Sequence, residues 1–392
     1  MNSATVQRMT PAAPRARSAL GTIRTIVPGR QRVKRARVGD CESTTMHGVL
    51  IGRSADAREK AWMRLDVARR YTDSTAIKIC GRARTDVTLS KNLVINGLLS
   101  CKSPQRCPRC AERIAVPRRN ALQTATAAWI AGGKKIALVT LTMAHGKAQP
   151  LAETLNAVLQ AWSLMFQGRA RHSWHALGMV AAIRTLEATH GARNGWHPHI
   201  HALMFLESDC DVKALESHVT EAWNKRVKCN EHGVRVDACV APEAAARYVA
   251  KGVANETIMG HEKSASSGRV HPFQLLDVRS ERARRLWREW EAAVKGRRCH
   301  GWIGKAALVA IVGPIAWTDD GEPLKDADDK PRPRLELSRD TWNDLVRLRA
   351  VALLLAILRQ GLDVSMLLAY DRARRAEYDA DLNLLRLCLR RC

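Results

Sequence analysis

Three histidines alternate with other residues in the stretch GWHPHIHA, at His197, His199 and His201. On a β-strand, alternate residues point to one face, so His199 and His201 would direct their imidazoles at the same point. Neutral imidazoles are good ligands for divalent metal ions. The spacing therefore predicts a metal site, in preference to a histidine-decorated surface strand that binds no ion.

A carboxylate on the preceding strand can complete this site. The segments 179–188 and 196–206 are predicted strands, and the sequence THGARNG joins them as an antiparallel hairpin. A turn around Arg193 places Glu187 opposite His199, and directly opposed side chains lie about 4.5–5.5 Å apart at Cβ. Glu187 is the expected third ligand, with an ordinary surface glutamate as the alternative. His197 is the other candidate for this position.

The chain has four tyrosines, and Tyr248 is the one that lies within the same domain as these strands. Its context, APEAAARYVAKGVA, predicts a helix that begins at Pro242. Lys251 would then lie beside the phenol, because residues i and i+3 are neighbours on a helix. A phenol with a pKa of about 10 is a weak nucleophile, and both an adjacent cation and a metal ion that draws charge from a phosphate help it attack phosphorus. We predict that Tyr248 is a nucleophile; structural packing on the sheet is the alternative.

Four cysteines precede these elements. Cys107 and Cys110 form a CxxC pair, and Cys80 and Cys101 could complete a tetrahedral set of thiolates. A structural zinc site is the favoured interpretation. A redox-active CxxC is the alternative, but it lacks the βαβ surroundings typical of that function. The later cysteines have no ligand spacing.

The elements that must position these residues follow the order β-α-β-β-α-β-α. This order is typical of an α+β fold with a ferredoxin-like (split βαβ) antiparallel sheet and one added helix. The small cysteine cluster precedes the sheet, and a helical C-terminal region follows it. The predicted strands are 135–143, 179–188, 196–206 and 234–240, and the predicted helices are 151–166, one capped by Asp211, and 242–255.

Charge and composition divide the chain further. Lysine and arginine number 64 against 38 acidic residues, a net charge of +26, which favours binding to nucleic acid. We expect a flexible basic arm over residues 1–65, a cysteine-rich zinc-binding segment over 66–125, a catalytic domain over 126–300, and a linker with a helical region over 301–392.

Membrane and secretory classes are disfavoured. The longest apolar stretches, near 306–317 and 350–358, are shorter than the roughly 20 residues that span a bilayer, and no signal peptide is evident at the N-terminus. We expect a cytoplasmic protein, in which the cysteines are metal ligands or free thiols rather than disulfides.

The stretches ALVTLTMAH, GWHPHIHALMF and ARYVAKG resemble, in this order, three motifs of the His-hydrophobe-His (HUH) endonuclease superfamily. Within it they are most similar to the replication initiators (Rep) of rolling-circle plasmids, over about residues 78–302. Relaxases of conjugative plasmids place the tyrosine before the histidines, whereas here it follows them. A single tyrosine also differs from phage initiators that use two in tandem.

The resemblance implies a mechanism and partners. Mg²⁺ or Mn²⁺ held by His199 and His201, with Glu187, would polarise the scissile phosphate of single-stranded origin DNA. Tyr248 would attack it, leaving a 5′-phosphotyrosine link and a free 3′-OH, and Lys251 would orient or neutralise the phosphate. A host helicase and DNA polymerase are the implied partners. Similar proteins carry a cysteine cluster ahead of the sheet, which favours Zn²⁺ there.

One position departs from the family pattern. Related initiators carry a glutamate four residues before the tyrosine to activate water at termination, and this chain has Ala244 there. Glu243 points about 140° away from Tyr248 on a helix. Termination by hydrolysis is therefore left open.

Two other classes of function are also left open by the sequence. A zinc-dependent hydrolase would use His197, His199 and His201 without a covalent tyrosine link. A non-catalytic DNA-binding module would only hold single strands on its sheet.

Overall fold

The computed structural model describes residues 57–90, 93–230, 232–239, 269–315 and 335–389, without the side chains of 238–239 and 378–389. The predicted arm up to residue 56, the predicted helix from Pro242 and residues 316–334 of the predicted C-terminal region therefore lie outside the described residues. What is described is an α+β fold, as the sequence predicted, but it contains a second antiparallel sheet that was not predicted.

The elements are numbered here in chain order. The strands are β1 (Ala83–Leu89), β2 (Ile95–Leu98), β3 (Lys135–Thr142), β4 (Met179–Gly191), β5 (Gly195–Leu206), β6 (Val234–Cys239), β7 (Arg269–Val270), β8 (His300–Ile303) and β9 (Leu335–Leu337). The helices are α1 (Ala57–Tyr71), α2 (Thr75–Ile79), α3 (Pro108–Ala131), α4 (Leu151–Met165), α5 (Ala170–Ala176), α6 (Val212–Asn224), α7 (Glu281–Val294), α8 (Lys305–Val312), α9 (Arg339–Arg347), α10 (Val351–Arg359) and α11 (Ser365–Leu389). A 3₁₀ helix spans Pro272–Asp277.

The larger sheet has the strand order β6-β3-β5-β4-β7, and β8 also pairs with β4. Each pairing is antiparallel. Strands β3 and β4, which α4 connects, are thus parallel to one another and separated by β5. This arrangement brings the histidine strand β5 to the middle of the sheet.

The hairpin of β4 and β5 has the predicted register. Glu187 pairs directly with His199, and the pairing continues to Gly191 opposite Gly195. Both strands therefore extend into the stretch THGARNG, which the sequence analysis assigned to the turn. The register holds because a one-residue slip would turn the apolar face of each strand to solvent.

The two faces of this sheet are covered differently. One face packs against α4, α6 and α7 in a core that includes Leu155, Val219 and Trp287. On the other face, α3 and α8 cover only one half of the sheet, where Leu203 and Phe205 are buried against Trp129. The histidines lie on this second face, on the half towards the hairpin turn.

The cysteine-rich segment and the C-terminal helices share one hydrophobic core. Strand β9 pairs with β1, forming the sheet β2-β1-β9. Trp342 of α9 is fully buried, contacts Trp62 edge-to-face at 5.9 Å and donates from its Nε1 to the carbonyl of Gly81 at 2.9 Å. Gly81 has φ +81°, and a Cβ there would lie 2.5 Å from the Trp62 ring. The end of the chain thus supports the loop that carries Cys80.

Three of the predicted boundaries fall inside elements. Residues 57–65 belong to α1, where Trp62 and Leu65 are buried, so this part of the predicted arm is helical core. Helix α3 runs across the predicted boundary at 125, and β8 runs across the one at 300. The division into domains stays a prediction, and its three boundaries have to be moved so that they fall outside α1, α3 and β8.

Local signals in the sequence account for several helix ends. Asp211 caps α6 by accepting from the backbone N–H groups of Lys213 and Ala214, as expected for an N-cap aspartate. Ser280 caps α7 in the same way. Within the described residues, no helix has the length and apolar character needed to cross a bilayer.

Candidate metal centres

Glu187, His199 and His201 form a cluster of ligand atoms, here called the His–Glu trio, in which one such atom from each residue lies within 4.8 Å of the others. His199 Nε2 is 3.2 Å from Glu187 Oε2, and His201 Nε2 is 3.7 Å from the same oxygen. The side chains are 10–15 % exposed. Strand register produces this convergence, because Glu187 is directly opposite His199 and diagonal to His201.

The other ring nitrogens are held by neighbouring oxygens. His199 Nδ1 lies 3.2 Å from the backbone carbonyl of His197, which can only accept, so Nδ1 carries the proton. His201 Nδ1 lies 3.1 Å from the hydroxyl of Thr140. Contacts of this kind fix the tautomer and the ring orientation of metal-binding histidines.

This tautomer tests whether a metal ion fits the trio. A neutral His199 with its proton on Nδ1 presents a bare lone pair from Nε2 to a carboxylate oxygen 3.2 Å away. Two acceptors that face each other are stabilised only by a cation or a proton between them. The residues present therefore suit a divalent ion with nitrogen and oxygen ligands.

His197 does not join the trio. Its Nδ1 lies 2.8 Å from Nε2 of His145, so one of these two nitrogens donates a hydrogen bond to the other. Burial, followed by the proximity of His199, Arg269 and His145, lowers the pKa of His197 to about 3. Burial likewise lowers the pKa of His145. The two rings form a pair beside the trio.

The four predicted cysteines form a second cluster, here called the cysteine tetrad. Cys80 Sγ lies 3.6 Å from the sulfurs of both Cys107 and Cys110, and Cys101 Sγ lies 3.5 Å from Cys110 Sγ. These separations far exceed a disulfide bond of about 2.05 Å. They are close to the roughly 3.8 Å between sulfurs of a tetrahedral site with Zn–S bonds of about 2.3 Å.

The tetrad is closed and lies beside a positive charge. Cys80, Cys107 and Cys110 are fully buried, and Arg109 Nη1 lies 3.6 Å from Cys80 Sγ. Hydrogen bonds from the thiols of Cys101 and Cys107 lower the pKa of Cys80 to about 7. Cys107 is the N-cap of α3, where the helix dipole favours thiolate, but burial outweighs this effect and raises the pKa of the Cys107 thiol well above its usual value. A buried thiolate set of this shape suits a tetrahedral, thiophilic ion.

The predicted nucleophile is not part of the described geometry. Tyr248 and Lys251, and with them Ala244 and Glu243, lie outside the described residues. The structure therefore brings together the predicted metal ligands of both clusters, while the predicted catalytic pair stays a prediction.

Two residues near the trio were missed by the sequence analysis. Thr140 lies on β3 directly opposite His201, and its position alternates with the apolar residues of that strand, which is a usable signal. His145 lies three residues beyond β3, at the end of the stretch ALVTLTMAH. No periodicity connects a loop residue to a strand, so its pairing with His197 could not be derived.

Comparison with known proteins agrees with the motifs. A family model described as "Replication protein" matches residues 92–258, a range that contains the trio, Tyr248 and Lys251. The chain is 25% identical over 342 residues to "Protein rep" of Streptomyces lividans, covering 66% of this chain and 75% of that protein. It is 26% identical over 149 residues to a "Neomycin resistance protein" of Streptomyces cyanogenus, covering 32% and 34%. No solved structure matches the chain.

The second of these relatives aligns over only about a third of each chain, so its name carries no functional weight here. The family match and the first relative cover the segment in which the histidine and tyrosine motifs occur in order. Together with those motifs, they support a plasmid replication initiator.

Proposed function

We propose that this protein starts rolling-circle replication by nicking single-stranded origin DNA, with Tyr248 as the nucleophile and a divalent metal ion in the His–Glu trio. The observation that carries the proposal is the convergence of His199 Nε2 and His201 Nε2 on one oxygen of Glu187. The net charge of +26 supports a polyanionic substrate.

Glu187, His199 and His201 would hold Mg²⁺ or Mn²⁺. The chemistry of such an ion is to draw negative charge from a non-bridging oxygen of the scissile phosphate. Three protein ligands leave further coordination positions for substrate, as catalytic sites require. Thr140 and the carbonyl of His197 would keep both imidazoles in the orientation that the site needs.

The chain's own residues carry out the covalent step. The phenol oxygen of Tyr248 loses its proton and attacks phosphorus, forming a tyrosine–phosphate bond to the 5′ side of the nick. The bond from phosphorus to the 3′ oxygen breaks, and that oxygen takes up a proton to become a free 3′-OH. Lys251 would stabilise the charge on the phosphate during this exchange. The 3′-OH is then a primer for a host polymerase, and a host helicase would open the duplex.

The strand order also supports the family mechanism. Two parallel strands, β3 and β4, enclose β5 and are linked by α4, and β6 completes the sheet beside β3. This is the split βαβ arrangement expected from the sequence. We propose that the catalytic domain is a ferredoxin-like sheet of the HUH type.

We further propose that the cysteine tetrad holds one structural Zn²⁺ and that the protein acts in the cytoplasm. The sulfur separations of 3.5–3.6 Å support zinc. The zinc-hydrolase alternative is less well supported, because His197 contacts His145 at 2.8 Å and is separate from the trio. Termination by hydrolysis has no assigned general base, since Ala244 stands where relatives have a glutamate.

The experiment is incubation of the full chain with a pool of randomised single-stranded oligonucleotides and Mn²⁺, followed by denaturing gels and mass mapping of protein–DNA adducts. We expect an adduct on the peptide that contains Tyr248. Tyr248→Phe should abolish both cleavage and adduct, because it removes the attacking oxygen and keeps the ring.

Tyr370→Phe is the matched control. The phenol of Tyr370 donates to Asp344 at 2.6 Å, a contact between two C-terminal helices that has no part in the proposed reaction. It should form as much adduct as the native chain. A Tyr248→Phe protein that still forms a covalent adduct would rule out the nucleophile, whereas cleavage without any adduct would favour the hydrolase.

A further inference from the structure

A cleft adjoins the His–Glu trio at Glu187. It lies between α3 with the loop that precedes it, the sheet edge formed by β4 and β8, and the 3₁₀ helix after β7. The cleft is partly open to solvent. The residues that line the cleft include Gln105, Ile114, Ala115, Glu187, Phe273 and His300.

The walls of the cleft are largely apolar. Ile114 and Ala115 of α3 form one side, and Phe273 of the 3₁₀ helix forms the other. All three are at least 94 % buried. A slot with apolar side walls suits a flat, unpaired ring system better than a phosphate or a sugar.

Two of the lining residues, Gln105 and His300, carry side-chain nitrogens that can form hydrogen bonds. Gln105 Nε2 is buried and has no hydrogen-bond acceptor among the residues that the structure describes. The main chain of Gln105 is fixed, because Trp290 Nε1 donates to its carbonyl at 2.8 Å. A buried amide without a partner costs free energy in the free protein, and a ligand that supplies an acceptor would remove this cost.

His300 presents the second group. Arg118 Nη1 lies 3.0 Å from His300 Nδ1, and a guanidinium can only donate. His300 Nδ1 therefore accepts, and the ring proton lies on Nε2. Arg118 is only 6 % exposed, so this orientation is built into the packing of α3 against β8.

We propose that this cleft binds one unpaired base of the DNA strand next to the scissile phosphate, and that Gln105 recognises its edge. This inference rests on the proposed function, because Glu187 belongs both to the cleft and to the trio that would hold the phosphate. A glutamine carboxamide offers a donor and an acceptor side by side, which is the pattern that discriminates between base edges. The cleft would make the nick sequence-specific beside the bond that is cut.

The test uses the full chain and a randomised pool of single-stranded oligonucleotides. The bound fraction is sequenced from reactions in EDTA, and the cleaved ends are sequenced from reactions in Mn²⁺. The native protein should enrich one base at one position beside the nick by about tenfold or more. Gln105→Ala should lose this preference, and Ala115→Leu, which fills the cleft, should lose it and bind the pool less tightly.

Matched controls lie on exposed surface. Gln160→Ala on α4 and Ala127→Leu on α3 repeat the same chemical changes at exposed positions and should behave like the native chain. Melting curves check folding. If Ala115→Leu does not fold, Gln105→Ala decides the test, because it removes a side-chain nitrogen that forms no hydrogen bond among the described residues.

The outcomes separate this inference from the proposed function. If the native chain yields no cleaved ends, the nicking proposal fails, and the bound pool still tests the cleft. A bound pool without a base preference in the native chain would overturn the cleft proposal. So would a Gln105→Ala variant that keeps the native preference.

Discussion

The His–Glu trio and the cysteine tetrad differ in how many ligands they offer and how open they are. The trio has three ligand residues with nitrogen and oxygen atoms, 10–15 % exposed, at the edge of a cleft. The tetrad has four sulfurs, and three of its cysteines are fully buried. Catalytic metal sites keep an open position, whereas structural sites are closed by four ligands. We therefore expect the trio to take part in the chemistry and the tetrad to stabilise the fold.

The two clusters also draw their geometry from different sources. The trio is set by the register of one hairpin, in which Glu187 pairs with His199. The tetrad depends on loops that several distant segments support, including α9 near the end of the chain. Substitutions in the trio should therefore change cleavage and leave folding nearly intact, while substitutions at the tetrad should do the reverse.

The largest expected effect is loss of cleavage on removing the two imidazoles. His199→Ala combined with His201→Ala deletes two ligands, and a metal ion at a phosphoryl-transfer site contributes several kcal/mol. We expect the cleavage rate to fall at least about 10³-fold, with the melting temperature shifted by only a few degrees. Single-turnover cleavage and thermal melting measure the two quantities.

His172→Ala combined with His175→Ala is the control, since both histidines are exposed on α5. This control should cleave at the native rate. A double mutant of the trio that retains full activity would remove the metal from the mechanism, and one that unfolds would break the contrast with the tetrad.

The next largest effect is on stability. Cys107→Ser combined with Cys110→Ser should reduce bound zinc from one per chain to none and lower the free energy of unfolding by more than about 4 kcal/mol, a size typical of a lost structural metal. Metal analysis after dialysis and denaturant unfolding measure these changes. Cys229→Ser, outside the tetrad, should keep its zinc. A native chain that binds no zinc and unfolds normally would contradict the assignment.

The sequence predicted the trio well because its determinants are local. Strand alternation places His199 and His201 on one face, and a short turn sets Glu187 opposite. Four of the six strands of the larger sheet, β3 to β6, and the Asp211 cap were predicted for the same reason. Tyr248 stays a prediction, since it lies outside the described residues.

The support of the tetrad could not be predicted. Strand β9 has three residues, too few for a periodic signal, and it pairs with β1 about 250 positions earlier in the chain. Helix α9 is amphipathic, but amphipathicity does not identify the surface that a helix packs against. The predicted domain boundaries therefore separated the cysteine-rich segment from the C-terminal helices, although the two share one core.

This shared core gives a third prediction, of intermediate size. Trp342→Ala removes a fully buried indole that packs on Trp62 and should destabilise the protein by about 3–5 kcal/mol. Zinc should also pass faster to a chelator, because the Gly81 loop next to Cys80 loses its support. Trp342→Phe keeps most of the packing and loses the bond to the Gly81 carbonyl, at a cost of about 1 kcal/mol from that bond.

Unfolding curves and chelator-transfer kinetics measure these effects. Cleavage by the folded fraction should stay at the native rate, since the trio draws its geometry from the hairpin. Native zinc-transfer kinetics in Trp342→Ala would show that the C-terminal helices do not support the tetrad.

The smallest expected effect concerns the hydroxyl that orients His201. Thr140→Val keeps the shape of the side chain and removes the oxygen 3.1 Å from His201 Nδ1. Loss of such a contact weakens metal binding by about 10–100-fold, so the Mn²⁺ concentration for half-maximal cleavage should rise by that factor. Saturating Mn²⁺ should restore the native rate, because the ligands themselves are intact. Thr124→Val, at an exposed position of α3, is the control. A loss of rate that Mn²⁺ cannot restore would mean that Thr140 acts on the substrate rather than on the metal ligand.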